Sequence, residues 1–575
     1  MGKALQGEIR KLSVFAALVL ALPVAGAVEA RAAKSESGRA TTTTGSYLAA
    51  FHAEYIGDSA AAADFLGRVL AADAGNATVR RRAFIHLVSG GRVEQAVPLA
   101  EKIKSGGRTA ALATITLSIA AARAGDLETA DALLAPSLPG NFGEVIAPML
   151  RAWIRQGLSD TEGAIEILAL LDEDEGLKVF RDVQAALIFD LSGQSEKAET
   201  AYATAMVAGD APSLRLIEAY VSFLARAGKF DEGRAILDAV PADQRAAISF
   251  VAAQGNLERG RDAHRFVGSA NAGLAQALFE VAVELRGENA PNIALFLAQL
   301  AVYVDPGLAI GHVLIGEILD DQGQVEAAVE SYHRVSDDSP LGWQVRVRRA
   351  ELLSDLDKSD EAIALLEAMA AEREDRAEPL IRMGHILRGE ERFDEAVVAY
   401  DRAAERIENL QPRHWFLLYT RGIALERSKN WSRAEKDFLK ALEFKPDQPF
   451  VLNYLGYSWV DQGVHLERAR DMIERAVELR PRDGYIVDSL GWALYRTGDF
   501  AGAVGHLERA VELRPEDPVI NDHLGDAYWR VGRLREARFQ WTRSLSLEPA
   551  EDQIDLIRGK IRDGLAPKGG AERDS

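Results

Sequence analysis

The ten histidines are the first residues to test for chemistry in this 575-residue chain: His52, His86, His264, His312, His333, His385, His414, His465, His506 and His523. A zinc site of the HExxH kind needs two histidines on one helical face, three or four residues apart. No pair meets that spacing. The chain has no Cys, which removes thiolate ligands, disulfides and a cysteine nucleophile together. Neither GxxxxGK[ST] nor a GxGxxG after a strand occurs, so loops that cradle phosphates are absent, and there is no GxSxG elbow. Carboxylates are plentiful, as in LDEDEG over 171–176, but runs of this kind are solvated helix ends. The expectation is a chain with no catalytic residue, no metal and no cofactor, and not an enzyme.

The regularity lies elsewhere. VDSLGWALYRTGDF (487–500) and INDHLGDAYWRVGRL (520–534) extend into repeats over 484–517 and 518–551, 34 residues each. Gly491 and Gly525 occupy one matched place, Ala503 and Ala537 another, and Pro515 and Pro549 fall near the ends. Small residues at a helix crossing permit the close end of the usual interaxial range of about 8–10 Å. Leu494 and Leu507 then fill the space beside the crossing. Gly498 ends the first helix, where a residue with φ > 0 is needed. Pro515 stops the second helix, because it lacks an N–H and clashes with the preceding turn.

The same grammar runs upstream. The repeat at 449–483 has Gly456, Ala469 and Pro481, with one extra residue between Gly463 and Ala469. The repeat at 415–448 has Gly422, Ala434, Phe438 and Pro446, and Gly384, Ala396 and Tyr400 mark another. Gly316, Ala328 and Tyr332 mark one more, and Ala350, Ala362 and Leu366 a weaker one between them. Before residue 300 the pattern decays but keeps helical periodicity. The expected organisation is a signal peptide at 1–32 and a disordered spacer at 33–46, then degenerate helical repeats at 47–308 and well-formed repeats at 309–551. A capping helix at 552–563 and a disordered tail at 564–575 complete it.

A 34-residue helix–turn–helix unit closed by Pro resembles the tetratricopeptide repeat, TPR. The resemblance implies an all-α fold, with hairpins stacked into a right-handed superhelical solenoid. In such a stack the first helix of each repeat lines the concave face. Carried onto the last repeats, that selects Asn453 and Tyr457, then Asp488, Trp492, Tyr495 and Arg496, then Asp522, Asp526, Trp529 and Arg530. Aromatic rings beside Arg and Asn make a protein-recognition lining, because Tyr, Trp and Arg dominate binding hot spots. Trp492 and Trp529 have a second reading, as wedges between adjacent helices. Trp415, Trp431 and Trp541 read as packing residues.

The stretch from NYLGYSWVDQGVHLERARDMIERAVELRP through DSLGWALYRTGDFAGAV to HLGDAYWRVGRLREARFQW resembles a narrower family as well. These are long bacterial envelope TPR proteins that act as adaptors for carboxyl-terminal processing proteases. The likeness is strongest over about 380–551. It implies a scaffold that cradles the protease and presents substrates, including cell-wall hydrolases. Relatives of this type are often lipoproteins tethered through an N-terminal Cys, and here this chain departs from the pattern.

Charge and leader set the setting. A net charge of −20 argues against nucleic acid, which is bound by clustered Lys and Arg. Lys3, Arg10 and Lys11 precede the apolar run Val14–Ala27, and small-residue cleavage sites follow at 25–27 and 30–32. That run is short of the ~20 residues that cross a bilayer, so it reads as a removed signal peptide, an uncleaved short anchor being the alternative. The expected product is a periplasmic, non-enzymatic scaffold that binds other proteins and has no membrane span once the leader is gone. An assembly scaffold for envelope biogenesis or secretion machinery is the alternative, and self-association is left open.

Overall fold

The computed structural model describes residues 42–566, except 104–106, 137, 139–140, 174–176, 209–210 and 246. The expected signal peptide, the spacer as far as residue 41 and the tail from residue 567 lie outside the described residues. Among the described residues every regular element is a helix. The first of them, Thr43–Tyr55, reaches into the stretch expected to be spacer. The Thr42 hydroxyl accepts a hydrogen bond from the Gly45 N–H at 3.0 Å, and Ser46 is buried. A capped turn with a buried residue is structure, and the spacer boundary at 46 is corrected accordingly.

The small residues do what their spacing implies. An added Cβ at Gly316, Gly384, Gly422, Gly491 or Gly525 would stand 2.5–2.6 Å from Tyr332, Tyr400, Phe438, Leu507 or Trp541, respectively. Each partner lies 16 residues on, across the hairpin. Gly456 meets Ile473 instead, 17 residues on, which is the extra residue of that repeat appearing in space. The second helices contribute Ala328, Ala396, Ala434, Ala469, Ala503 and Ala537, all without exposed surface. Hairpin turns place one residue in the left-handed region: Gly498 at φ 93°, but Lys429 at φ 61°, where a side chain costs about 1–2 kcal/mol. Second helices end at Phe444, Leu479 and Leu513, two residues before Pro446, Pro481 and Pro515. The residue before each Pro leaves the helical region, as at Lys445 with φ −142° and ψ 82°.

The chain divides into two compact units, the first ending at Asp357 and the second starting at Lys358. In the first unit the hairpins do not simply stack in order. Ala270–Gly287 packs on Asn141–Gly157, and Pro291–Val304 packs on Ala77–Ser89 and Arg108–Arg123. Phe84 meets Phe296 edge-on at 5.7 Å, and Arg123 lies 4.1 Å from the Tyr303 ring centre. Gln299 donates to the Ser89 carbonyl at 3.2 Å, and Gln324 to the Ile56 carbonyl at 2.8 Å. Gly273 is required by this return, since a Cβ would stand 2.1 Å from the fully buried Trp153 ring. Trp153 donates to Gln184 at 2.5 Å, and Gln184 donates to Glu280 at 2.7 Å. The 47–308 stretch therefore satisfies contacts across the unit as well as between neighbours, which loosens its repeat pattern. A third helix, Ile248–Arg259, also packs on Leu214–Ala227 and breaks the two-helix rhythm there.

The second unit keeps the rhythm. Its core runs from Leu418 to Ile557 through Phe438, Leu455, Trp459, Leu490, Leu507 and Trp541. Glu551–Asp563 closes the unit, starting one residue before the expected capping helix.

The seat predicts opposite signs for two glycine substitutions. Gly422→Val drives a branched side chain into the fully buried Phe438 ring and should destabilise by about 1–3 kcal/mol. Gly505, inside Phe500–Leu513, has nothing within 4 Å of an added Cβ. Gly505→Ala should stabilise by about 0.5–1 kcal/mol. Thermal melts of the two variants read both signs.

Candidate protein-binding face

Four helices of the second unit follow one another in first-helix places: Pro449–Gln462, Gly484–Thr497, Pro518–Arg530 and the terminal Glu551–Asp563. Their starts are fixed locally. The Asp483 carboxylate accepts from the N–H groups of Tyr485 and Ile486, and Asp517 from those of Val519 and Ile520. Once a start is fixed, residues three and four apart share a face, which aligns Asp488 with Trp492 and Tyr495.

Gly484–Thr497 and Pro518–Arg530 are joined by a polar and aromatic rung. His523 Nδ1 lies 3.0 Å from the Asp488 carboxylate, and both side chains are buried. The Trp492 ring stacks on His523 at 4.0 Å and 15°, and Tyr495 stacks on Trp492 at 4.8 Å and 10°. Arg530 Nε donates to the Tyr495 hydroxyl at 3.3 Å. Burial alone would lower the His523 pKa, but the carboxylate of Asp488, with Asp522 and Asp526 nearby, outweighs it and raises the value. Trp492 therefore acts as a wedge between helices, with its polar neighbours fixed around it. The sequence offers His523 only as a candidate metal ligand. It lies 35 residues from Asp488, one place beyond the matched position at Asp522, and that offset is the signal that pairs them.

The last repeat is covered by the chain's own end. Lys560 bridges Asp522 at 2.6 Å and Asp526 at 2.9 Å, and Trp541 Nε1 also donates to Asp526 at 2.8 Å. The two carboxylates raise the Lys560 pKa against the opposing effect of its burial. Trp529 Nε1 donates to the Leu565 carbonyl at 3.1 Å, and Arg530 donates to the Ala566 carbonyl at 2.6 Å. Asp522, Asp526, Trp529 and Arg530 are thus engaged within the chain. The tail expected to be disordered from 564 has its first three residues, 564–566, held in place.

One repeat earlier the rung is open. Asn453 matches Asp488 in register, and Ser489 matches His523. Ser489 turns its hydroxyl back to the Tyr485 carbonyl at 2.9 Å, and Asn453 Oδ1 is buried with no hydrogen-bond partner among the described residues. Tyr457 stands one turn from Asn453. Burial, with the charges of Asp488 and Asp461, pushes its hydroxyl pKa up to about 12. Arg496 reaches Asp461, at 3.4 Å from its carboxylate and 3.1 Å from its carbonyl, and stays partly exposed. Of the ten predicted lining residues, Asn453 and Tyr457 stay partly exposed and Arg496 exposed. Trp415 and Trp431 pack against the core, and Trp541 lies fully inside it.

Residues 313–378, 381–449 and 461–518 match the tetratricopeptide repeat family. These three stretches are similar to tetratricopeptide repeats. The chain is similar to a TPR repeat-containing protein of Pseudomonas aeruginosa, 28% identical over 198 residues, which cover 34% of this chain and 32% of that protein. The matched region spans about a third of the length of that curated relative. Among solved structures, a MamA fragment from Desulfovibrio magneticus is 23% identical, with a TM-score of 0.27, over 31% of this chain and 97% of its own. The Cut9–Hcn1 hetero-tetramer of the APC/C is 15% identical, with a TM-score of 0.37, over 92% of this chain and 97% of its own. Tetratricopeptide repeats suggest a protein-binding scaffold.

The raised His523 pKa gives a pH signature. A group with a raised folded pKa contributes stability that is full below its unfolded value, about 6.5 for His, and is lost as pH rises through the folded value. Asp488→Asn should therefore cost more at pH 6 than at pH 8.5, with the loss shrinking through the raised His523 value. Parallel thermal melts of wild type and variant across that range measure it.

Proposed function

We propose that this protein is a non-enzymatic adaptor of the periplasm that holds partner proteins on the first-helix face of residues 449–497. One observation carries the reading: the Asn453 carbonyl oxygen is buried without a hydrogen bond, beside Tyr457, in a repeat whose neighbour has the equivalent rung closed. A buried acceptor left unpaired costs about 1–3 kcal/mol, and turning the partly exposed Asn453 amide outward to a partner's N–H or O–H relieves that cost on binding. Tyr457 supplies aromatic surface and Arg496 a charged rim, the side-chain types that anchor protein interfaces.

The partner in this reading is a carboxyl-terminal processing protease together with its cell-wall hydrolase substrates. Its support is the sequence resemblance over about 380–551 and the leader-like start of the chain, with Lys3, Arg10 and Lys11 before an apolar run. The complete lack of Cys suits an oxidising compartment, where a free thiol would be a liability.

Pull-down with the purified chain from a membrane-plus-periplasm extract should return a processing protease. Recovery of secretion or export components in its place would favour the assembly-scaffold alternative. Asn453→Ala combined with Tyr457→Ala should weaken capture about tenfold or more with helical content unchanged by circular dichroism. Undiminished capture by that double variant would remove the face from the proposal.

A further inference from the structure

The contact between the chain's end and its last repeat has two separable parts. The helix Glu551–Asp563 is seated by its own side chains: Ile557 is buried in the core, and Lys560 bridges Asp522 and Asp526. Arg538 adds a hydrogen bond to the Ile561 carbonyl at 3.0 Å. Those contacts cover the apolar end of the array, which is what a terminal helix must do.

The three residues after it do something different. Gly564 turns at φ 76° and ψ −170°, a conformation that disfavours any side chain. Its Cα lies so close to the Trp529 indole that an added Cβ would stand 1.9 Å from the ring. Leu565 and Ala566 then present successive main-chain carbonyls to Trp529 Nε1 and the Arg530 guanidinium, at 3.1 and 2.6 Å. Arg538 lies 5.0 Å from the Trp529 ring centre, a cation–π distance, and the Trp541 ring lies 5.4 Å from it, tilted at 37°. The indole therefore has contacts from Arg538 and Trp541 that do not depend on residues 564–566. Two donors that read carbonyls, and a ring that admits only a glycine, recognise main chain rather than a particular set of side chains.

We propose that the Trp529–Arg530 surface is a site for an extended, glycine-bearing peptide segment, which Gly564–Ala566 occupies in cis. The proposal rests on the protein-binding reading above and names a second contact of that scaffold, at its last repeat. A segment of a partner with a glycine followed by two residues that present their carbonyls in the same way meets the same donors. It enters only by displacing the chain's own three residues, because the two would use the same N–H groups. Lys560 and Ile557 keep the terminal helix in place while this exchange occurs. The tether works against an incoming peptide, since a short flexible connection gives a local concentration in roughly the millimolar range.

The test uses a fluorescein-labelled peptide GLAPKGGAERDS, the sequence of residues 564–575, with anisotropy as the readout. Three proteins are compared: the full chain, a variant lacking 564–575, and the full chain carrying Gly564→Val, whose side chain cannot sit on the Trp529 ring. The shortened protein should bind the peptide, the full chain at least about tenfold more weakly, and Gly564→Val close to the shortened protein. Trp529→Ala and, separately, Arg530→Gln in the shortened background should each lose about tenfold or more with unchanged circular dichroism. The proposal is overturned if the shortened protein and Gly564→Val both keep their helical content and fail to bind. Equal binding by the full chain and the shortened protein overturns it too. Either failure leaves the Asn453 face untouched, because capture there is read by the Asn453→Ala and Tyr457→Ala variant.

Discussion

A glycine on the first helix of each hairpin lets the side chain sixteen residues later lie against bare helix backbone, and the rest of the second unit is arranged around that seat. Tyr400 on Gly384, Phe438 on Gly422, Leu507 on Gly491 and Trp541 on Gly525 fix how far apart the two helices of a hairpin stand. With one face of the first helix pressed to its partner, the opposite positions turn toward the neighbouring first helix. Asp488, Trp492 and Tyr495 are such positions, and their rung to His523 and Arg530 is a consequence of the seat. The seat tolerates changes of size only on the second-helix side, where rings and Leu or Ile alternate. The repeat at 449–483 absorbs its extra residue by presenting Ile473 seventeen rather than sixteen residues on.

The charged residues play a lesser part than their number suggests. Many Arg–carboxylate pairs join consecutive repeats, as between Arg402 and Glu367, Arg433 and Asp401, or Arg475 and Asp447. Their side chains are largely in water, so each contributes about 0–1 kcal/mol and is screened by salt. Arg421 differs. It is mostly covered and held bidentately by Asp437, with Asp401 as a third contact, so it ties one hairpin to the next in a fixed geometry. The net charge of −20 disfavours association with polyanions.

The second unit was legible in the sequence because its constraints are local. Helix, turn and seat all fall within one 34-residue repeat, so spacing alone marks Gly491, Ala503 and Pro515. What escaped was every contact whose partner lies outside that window. Periodicity shows that Asp488 faces the neighbouring helix but not that a histidine waits there, and Asp526 looks the same on paper whether it lines a groove or holds Trp541 and Lys560. The end of the chain misled for another reason: a glycine-rich polar tail has the composition of disorder, while its first residues are held through carbonyls, which composition does not report. In the first unit the packing of Pro291–Val304 on Ala77–Ser89 spans more than two hundred residues, too far for any repeat pattern to record.

What the chain covers by itself indicates where it can receive something else. A stack of amphipathic hairpins exposes apolar and polar groups along its first-helix face, and any stretch left without a partner carries the cost of unpaired donors and acceptors. In the first unit the face of Ala77–Ser89, Arg108–Arg123 and Asn141–Gly157 is filled by the helices at 270–304. In the second unit the last repeat is closed by Lys560 and by the carbonyls of Leu565 and Ala566. Between these, Gly484–Thr497 and Pro518–Arg530 satisfy each other. Pro449–Gln462 is the helix whose rung is left unfinished, because Ser489 is too short to stand in for the imidazole of His523. A serine in place of a histidine thus leaves the Asn453 acceptor without its rung, one of several buried side-chain groups left unpaired, and an outside hydrogen-bond donor that reaches it offsets that cost.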